Sequence, residues 1–247
     1  MCRLMAFVSQ QSTQFSRVVG PKFAEFTQLS DFHKDGWGIA INSTDETHAR
    51  ISRAPEKANS SARFATDIEN MQGNGALLHL RLATSGLKNC EENTHPFSFG
   101  EYSFIHNGDI RPREKIDEFI RPDLNTIRAG ETDSERYFYL LVGEIERLGV
   151  AEGVHSTLEI LDSHCTYSSI NCMLLTPTYL LVISRFKSEK IPSDQPADYY
   201  ALRYQTTKNS IVVASSGWSQ NGLKVIPNNS YLLINRDELT ISQENLG

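Results

Sequence analysis

Cysteine is scarce in this chain of 247 residues, and where it falls excludes a good deal. Cys2, Cys90, Cys165 and Cys172 are too few and too scattered to build a disulfide framework in a chain this long. No C-x-x-C occurs. His164-Cys165 and the Cys90/His95 pair lack a partner pair at zinc spacing, so neither a metal nor any other cofactor is expected. Cys165 and Cys172 read as small buried apolar residues. No apolar stretch approaches the ~20 residues that a membrane span needs. The start has no charged segment followed by a long apolar one, so a secretory signal is not expected and a cytoplasmic location is. Positive charge is also short: 24 Lys and Arg stand against 30 Asp and Glu, the net charge is -6, and no basic run occurs. Nucleic acid and membrane surfaces are therefore excluded as main partners.

What is present suits a folded domain. About 39% of the residues are hydrophobic, enough for a substantial core. The length fits one large domain or two small ones, and no linker or repeat divides it, so a single domain over residues 1–247 is expected. Apolar runs bounded by Gly, Pro, Asn or Ser predict strands at Arg3–Ser9, Trp37–Asn42, Ala76–Ala83 and Tyr102–His106. The second half adds Tyr167–Thr176, Tyr179–Arg185, Tyr199–Gln205, Ile211–Ser215 and Tyr231–Asn235. Helical spacing marks Ser60–Met71, Pro112–Ile120, Asp133–Leu148 and Ala151–Asp162, the third most clearly, with Thr132 or Asp133 as its cap. Many strands are apolar on both faces and must be covered on both. An α+β fold of two antiparallel sheets stacked between helix layers fits this order. Ile191–Asp198, polar and with two prolines, reads as an exposed loop.

Cys2 follows Met1 directly. Cysteine is small enough at that position for the methionine to be trimmed, which would leave thiol and free α-amine on one residue. The thiol is the nucleophile that needs least activation, and an α-amine can hold a proton near neutrality. No catalytic His is then required. The alternative is a cysteine that happens to lie at a fraying terminus.

Four further segments carry possible chemistry. In His33-Lys34-Asp35-Gly36-Trp37-Gly38, two glycines open a strand and let backbone approach closely, or simply turn into it. Arg81 interrupts the apolar strand Leu78–Ala83, where it needs either an internal carboxylate or a bound one. Asn107-Gly108 is the strongest short hairpin signal, yet the Asn amide and the Gly N–H could also converge on one oxygen as an oxyanion hole. Gly130-Glu131-Thr132-Asp133-Ser134-Glu135 is a helix cap in which Asp133 could face a cavity and hold an ammonium. Taken together, nucleophile, oxyanion donors, carboxylate clamp and ammonium clamp describe a site for glutamine or another γ-glutamyl small molecule.

The chain resembles the class II glutamine amidotransferases of the N-terminal-nucleophile superfamily, in their small stand-alone, YafJ-like branch. The resemblance rests on Met1-Cys2, His33–Gly38, His79-Leu80-Arg81-Leu82-Ala83-Thr84, Glu92-Asn93-Thr94-His95-Pro96-Phe97, His106-Asn107-Gly108 and Gly130–Glu135, in this order and spacing. It implies a four-layer αββα sandwich. It implies Cys2 as nucleophile forming a thioester, Asn107 and Gly108 as oxyanion hole, and Arg81 and Asp133 as the substrate clamp, with Thr84 near the substrate and His95 in support. Release of ammonia or an amine is implied too, with an ammonia-accepting synthase as a possible partner. Three rivals stay open: a γ-glutamyl hydrolase for a larger thiol peptide, a non-catalytic subunit that only binds a γ-glutamyl ligand, and a papain-like pair using His79 or His106.

Overall fold

The computed structural model describes residues 2–83 and 86–246. The first half of the chain supplies β1 (Arg3–Thr13), β2 (Gly36–Asn42), β3 (Arg50–Ala54), β4 (Gly73–Arg81), β5 (Phe97–Phe99) and β6 (Tyr102–Arg111). The second supplies β7 (Thr166–Leu175), β8 (Tyr179–Ser184), β9 (Leu202–Thr206), β10 (Ser210–Ser215), β11 (Lys224–Val225), β12 (Ser230–Asn235) and β13 (Ile241–Asn245). The α-helices are α1 (Phe15–Val19), α2 (Phe23–Gln28), α3 (Ala62–Asn70), α4 (Pro122–Thr126), α5 (Asp133–Leu148) and α6 (Val150–His164).

Among the described residues the strands form two antiparallel sheets. One has the order β11-β9-β10-β1-β4-β2-β3, the other β13-β12-β8-β7-β6-β5. β1 shows why its sequence reads as a continuous apolar run. Leu4, Ala6 and Val8 point between the sheets, where they meet Ile105, Met173 and Val182. Met5 and Phe7 point the other way and pack with Phe15, Phe23, Phe26 and Phe64 of α1, α2 and α3. On the far side, Phe138, Leu141 and Ile145 of α5 and Val154, Leu158 and Leu161 of α6 cover Phe104, Leu174 and Ile183 of the second sheet. The result is the four-layer αββα sandwich. Each fully buried Leu in it contributes about 1.5–3 kcal/mol.

α5 keeps the bounds its sequence predicts. The Thr132 side chain caps it by accepting from the Glu135 N–H at 3.0 Å. Several expectations shift. Residues Arg113–Glu118 form a 3-10 turn rather than the α-helix expected over Pro112–Ile120. The strand expected from Tyr199 starts only at Leu202, because Tyr199 and Tyr200 are taken up in ring packing at 5.1 Å. Cys172 is buried, but Cys165 keeps part of its surface exposed, since α6 ends one residue before it.

Away from Cys2 the two sheets are tied by Arg236, which is buried. Its guanidinium donates to the side chain of Asn42 at the end of β2 (2.8 Å), to the Asn42 carbonyl (3.2 Å) and to the carbonyl of Thr176 just past β7. No helix among the described residues is long and apolar enough to cross a membrane.

Candidate active site

Three strands bring the site together. β1 and β4 run antiparallel with Arg3 opposite Leu80, so the start of one lies beside the end of the other. Cys2, Arg81, Leu82 and Ala83 thereby line one cavity of about 290 Å³. From the second sheet β6 adds His106, Gly108 and Asp109, and the first turn of α5 adds Asp133 and Ser134. His95 and Asn93 complete that side.

The Cys2 side chain is half-buried, and its thiol lies 3.6 Å from the carbonyl of Leu82. Burial pushes the thiol above its ordinary value, while the Arg81 guanidinium pulls it down and Asp133 pushes it up. The thiol therefore stays protonated at neutral pH and needs a base to become a nucleophile.

Arg81 and Asp133 are both buried. The Arg81 guanidinium donates to the carbonyl of Asp35 (3.3 Å) and to Asn89 Oδ1 (2.5 Å). Among the described residues no carboxylate forms an ion pair with it, so the internal salt bridge considered for this position is not made. The His33–Gly38 segment explains its placement. The Asp35 carboxylate accepts from the Ala83 N–H at 2.8 Å and ties the entry of β2 to the exit of β4. Gly38 allows the next layer to close, because a Cβ there would lie 1.9 Å from the His95 carbonyl oxygen.

Asp133 faces the cavity from the first position of α5. One carboxylate oxygen accepts from the Ile110 N–H at 2.8 Å, and no cation pairs with it among the described residues. Burial raises its carboxyl to about 6, with the Asp109 charge adding to the effect. The capping motif fixes it there. Glu135 reaches back to the N–H groups of Ala129 and Gly130, at 3.0 and 2.7 Å, and the Glu131 N–H donates to Asn93 at 2.9 Å. Cap and cavity wall are thus the same segment.

Asn107-Gly108 is not a hairpin turn. Both residues lie within β6, opposite Asn171 and Ile170 of β7, and the register slips just after Gly108. Such a bulge re-aims the chain next to a site. Neither the nitrogen nor the oxygen of the Asn107 amide has a hydrogen-bond partner among the described residues, although the side chain is fully buried. Gly108 has no room for a side chain: a Cβ would lie 1.7 Å from the Ser169 carbonyl oxygen and 2.4 Å from His106 Nε2.

Three histidines underlie the cavity. His79 and His95 stack at 4.0 Å, and both ring nitrogens of His95 lack a partner among the described residues. His79 Nε2 donates to the His106 carbonyl (3.2 Å). His106 contacts Ser134 Oγ at 2.9 Å and the Ser169 carbonyl at 3.4 Å. Burial lowers all three, His79 to about 3, His106 to about 4 and His95 well below its ordinary value. The rings are neutral at pH 7. No histidine hydrogen-bonds the Cys2 sulfur among the described residues, so the papain-like pair is not assembled.

Thr84 lies outside the described residues, as does Met1. Sequence reasoning missed other members of the site. Arg3 is buried, donates to the Cys2 carbonyl at 3.2 Å and lies 4.6 Å over the Tyr199 ring. An Arg within the first apolar strand was the available signal, of the same kind as Arg81. Ser134, Ser168, Pro192 and Tyr200 also line the cavity. Pro192 comes from the segment that reads only as an exposed loop, and Tyr200 from the start of the strand expected over Tyr199–Gln205.

A four-layer sandwich with a cysteine at the head of a central strand is the arrangement of the N-terminal-nucleophile hydrolases. The chain belongs to the class II glutamine amidotransferases: the pattern of that family, glutamine amidotransferases class-II, matches residues 1–184. It is 22% identical over 300 residues to the probable glutamine amidotransferase DUG3 of Saccharomyces cerevisiae, covering 98% of this chain and 84% of that protein. It is 29% identical over 175 residues to an uncharacterized protein of Methanocaldococcus jannaschii, covering 67% of this chain and 46% of that one. The chain thus spans about half the length of the archaeal relative. Among solved structures, a glutamine aminotransferase class-II domain protein from Silicibacter pomeroyi shares the fold, with a TM-score of 0.69 and 18% identity over 100% of both chains.

Proposed function

We propose that this protein hydrolyses the γ-amide of glutamine or of a γ-glutamyl compound through a thioester on Cys2. The observation that carries the reading is a pair of opposite, buried charges without ion-pair partners among the described residues. Arg81 and Asp133 line the cavity that holds Cys2 and Gly108. Leaving both charges unpaired costs stability, and an amino acid returns the missing partners: its α-carboxylate takes the guanidinium, its α-ammonium the carboxylate.

Removal of Met1 makes Cys2 the first residue. Its α-amine takes the thiol proton as sulfur bonds to the γ-carbonyl carbon. The oxyanion accepts hydrogen bonds from the Asn107 amide and the Gly108 N–H. The C–N bond breaks, the amine returns the proton to the departing nitrogen, and ammonia or an amine leaves. Water then adds to the thioester carbonyl as the α-amine takes one of its protons; the C–S bond breaks, the amine returns the proton to sulfur, and glutamate departs with a newly formed γ-carboxylate.

A second reading has an observation behind it. A groove of about 920 Å³ shares Leu87, Asp109 and Asp133 with the cavity. It supplies space that glutamine does not use and favours a γ-glutamyl compound with a larger substituent. Comparing kcat/KM for glutamine and a set of larger γ-glutamyl amides separates the two readings. For either one, Cys2→Ala removes glutamate release, by about a thousand-fold or more, from protein whose mature N-terminus has been verified by mass. Undiminished turnover in that variant would overturn the assignment.

A further inference from the structure

Ser134 sits one residue beyond Asp133 in the first turn of α5, is buried, and lines the cavity with His106. The partners of the His106 ring fix where its proton is. The Ser169 carbonyl can only accept, so Nε2 carries the hydrogen and donates to it at 3.4 Å. Nδ1 is then a lone pair, and it accepts the Ser134 hydroxyl hydrogen at 2.9 Å. The neutral state of the buried imidazole agrees with this arrangement. Gly108 lets it exist, since any Cβ there would press on both the Ser169 carbonyl and the His106 ring. With its hydrogen committed to the ring, the Ser134 oxygen can only accept from anything else in the cavity. It lies on the wall that carries Asp133, one oxygen of which is already engaged by the Ile110 N–H.

We infer that Ser134 is a second acceptor for the substrate α-ammonium, held in its accepting orientation by His106, and that the pair sets specificity for an α-amino acid over the same chain without the amine. An ammonium has three hydrogens to place, and Asp133 alone leaves some of them unmet. His106 acts through Ser134 and is a positioning residue. The inference rests on the substrate orientation proposed above.

The test is binding, so that it stands apart from turnover. In the Cys2→Ala protein, dissociation constants are measured by calorimetry for L-glutamate and for glutarate, which lacks only the α-ammonium. Adding Ser134→Ala is expected to weaken glutamate by about ten-fold or more, the loss of one hydrogen bond to a charged group, and to leave glutarate within about two-fold. Ser134→Thr keeps the hydroxyl and is expected to restore the preference for glutamate. An equal weakening of both ligands, unchanged glutamate binding, or no glutamate binding by the parent would each overturn the inference. All three would leave the hydrolytic reading standing, since that reading fails only through the turnover of the Cys2→Ala variant.

Discussion

The face where α5 and α6 cover the second sheet and the cavity at the strand ends are buried alike, yet they are built on opposite terms. In the first, Phe138, Leu141, Leu158 and Leu174 pack into one apolar cluster, and their burial favours folding. In the second, Arg81, His95, Asn107 and Asp133 are just as hidden, and each keeps a charge unneutralised or an amide or ring nitrogen unsatisfied among the described residues. The comparison teaches where the molecule holds stability and where it gives stability up. Polar groups left short of partners inside a protein cost free energy, and that cost is recovered when a ligand supplies the partners.

The largest effect that would break the contrast belongs to the apolar side. Leu174→Ala is expected to lower unfolding free energy by about 2–5 kcal/mol, read by urea titration, with KM unchanged. A raised KM would show that the two regions are not separable. Asp133→Asn sharpens it from the polar side. Burial raises the Asp133 carboxyl from an ordinary value of 3.8 to about 6. Folding therefore gains from this group fully below about pH 4 and loses that gain as pH rises through about 6, a swing of about 3 kcal/mol. The Asn variant is expected to be more stable than the parent at pH 7, to match it near pH 4, and to bind glutamate more weakly. Equal pH dependence of melting in both proteins would refute that account. The smallest effect falls on the segment joining the regions. Thr132→Ala removes the cap of α5 and is expected to cost about 1 kcal/mol, with a measurable rise in KM because Asp133 and Ser134 are the next two residues. A rise in KM without any drop in melting temperature would mean that Thr132 acts on the ligand rather than on the helix.

The apolar side was largely legible in the sequence because periodicity records it. The bounds of α5 agree, and the strands around Leu4, Leu77 and Leu174 follow from unbroken apolar runs. α1 and α2 were missed because each is a turn or so long and Gly20-Pro21 interrupts the spacing of Phe15, Phe23 and Phe26. The pattern over Pro112–Ile120 does not distinguish an α-helix from a 3-10 turn, and Arg113–Glu118 takes the tighter form. At the cavity, Cys2 and Arg81 were legible as residues out of keeping with their surroundings, Asn107-Gly108 and Asp133 as motifs with two readings each, and His95 only through the family resemblance. Ser134 and Tyr200 were not. A serine in a helix cap and a tyrosine after a polar loop look ordinary until the fold brings them, from separate parts of the second half of the chain, to one cavity.

Arg236 gives this architecture a direction. Its grip on Asn42 and Thr176 fastens the two sheets at the rim remote from Cys2. The sandwich is thus pinned near both ends of its strands, by a guanidinium at the rear and by the bond from His79 to the His106 carbonyl beneath the cavity. The groups around Cys2 therefore meet a ligand on a frame braced front and back.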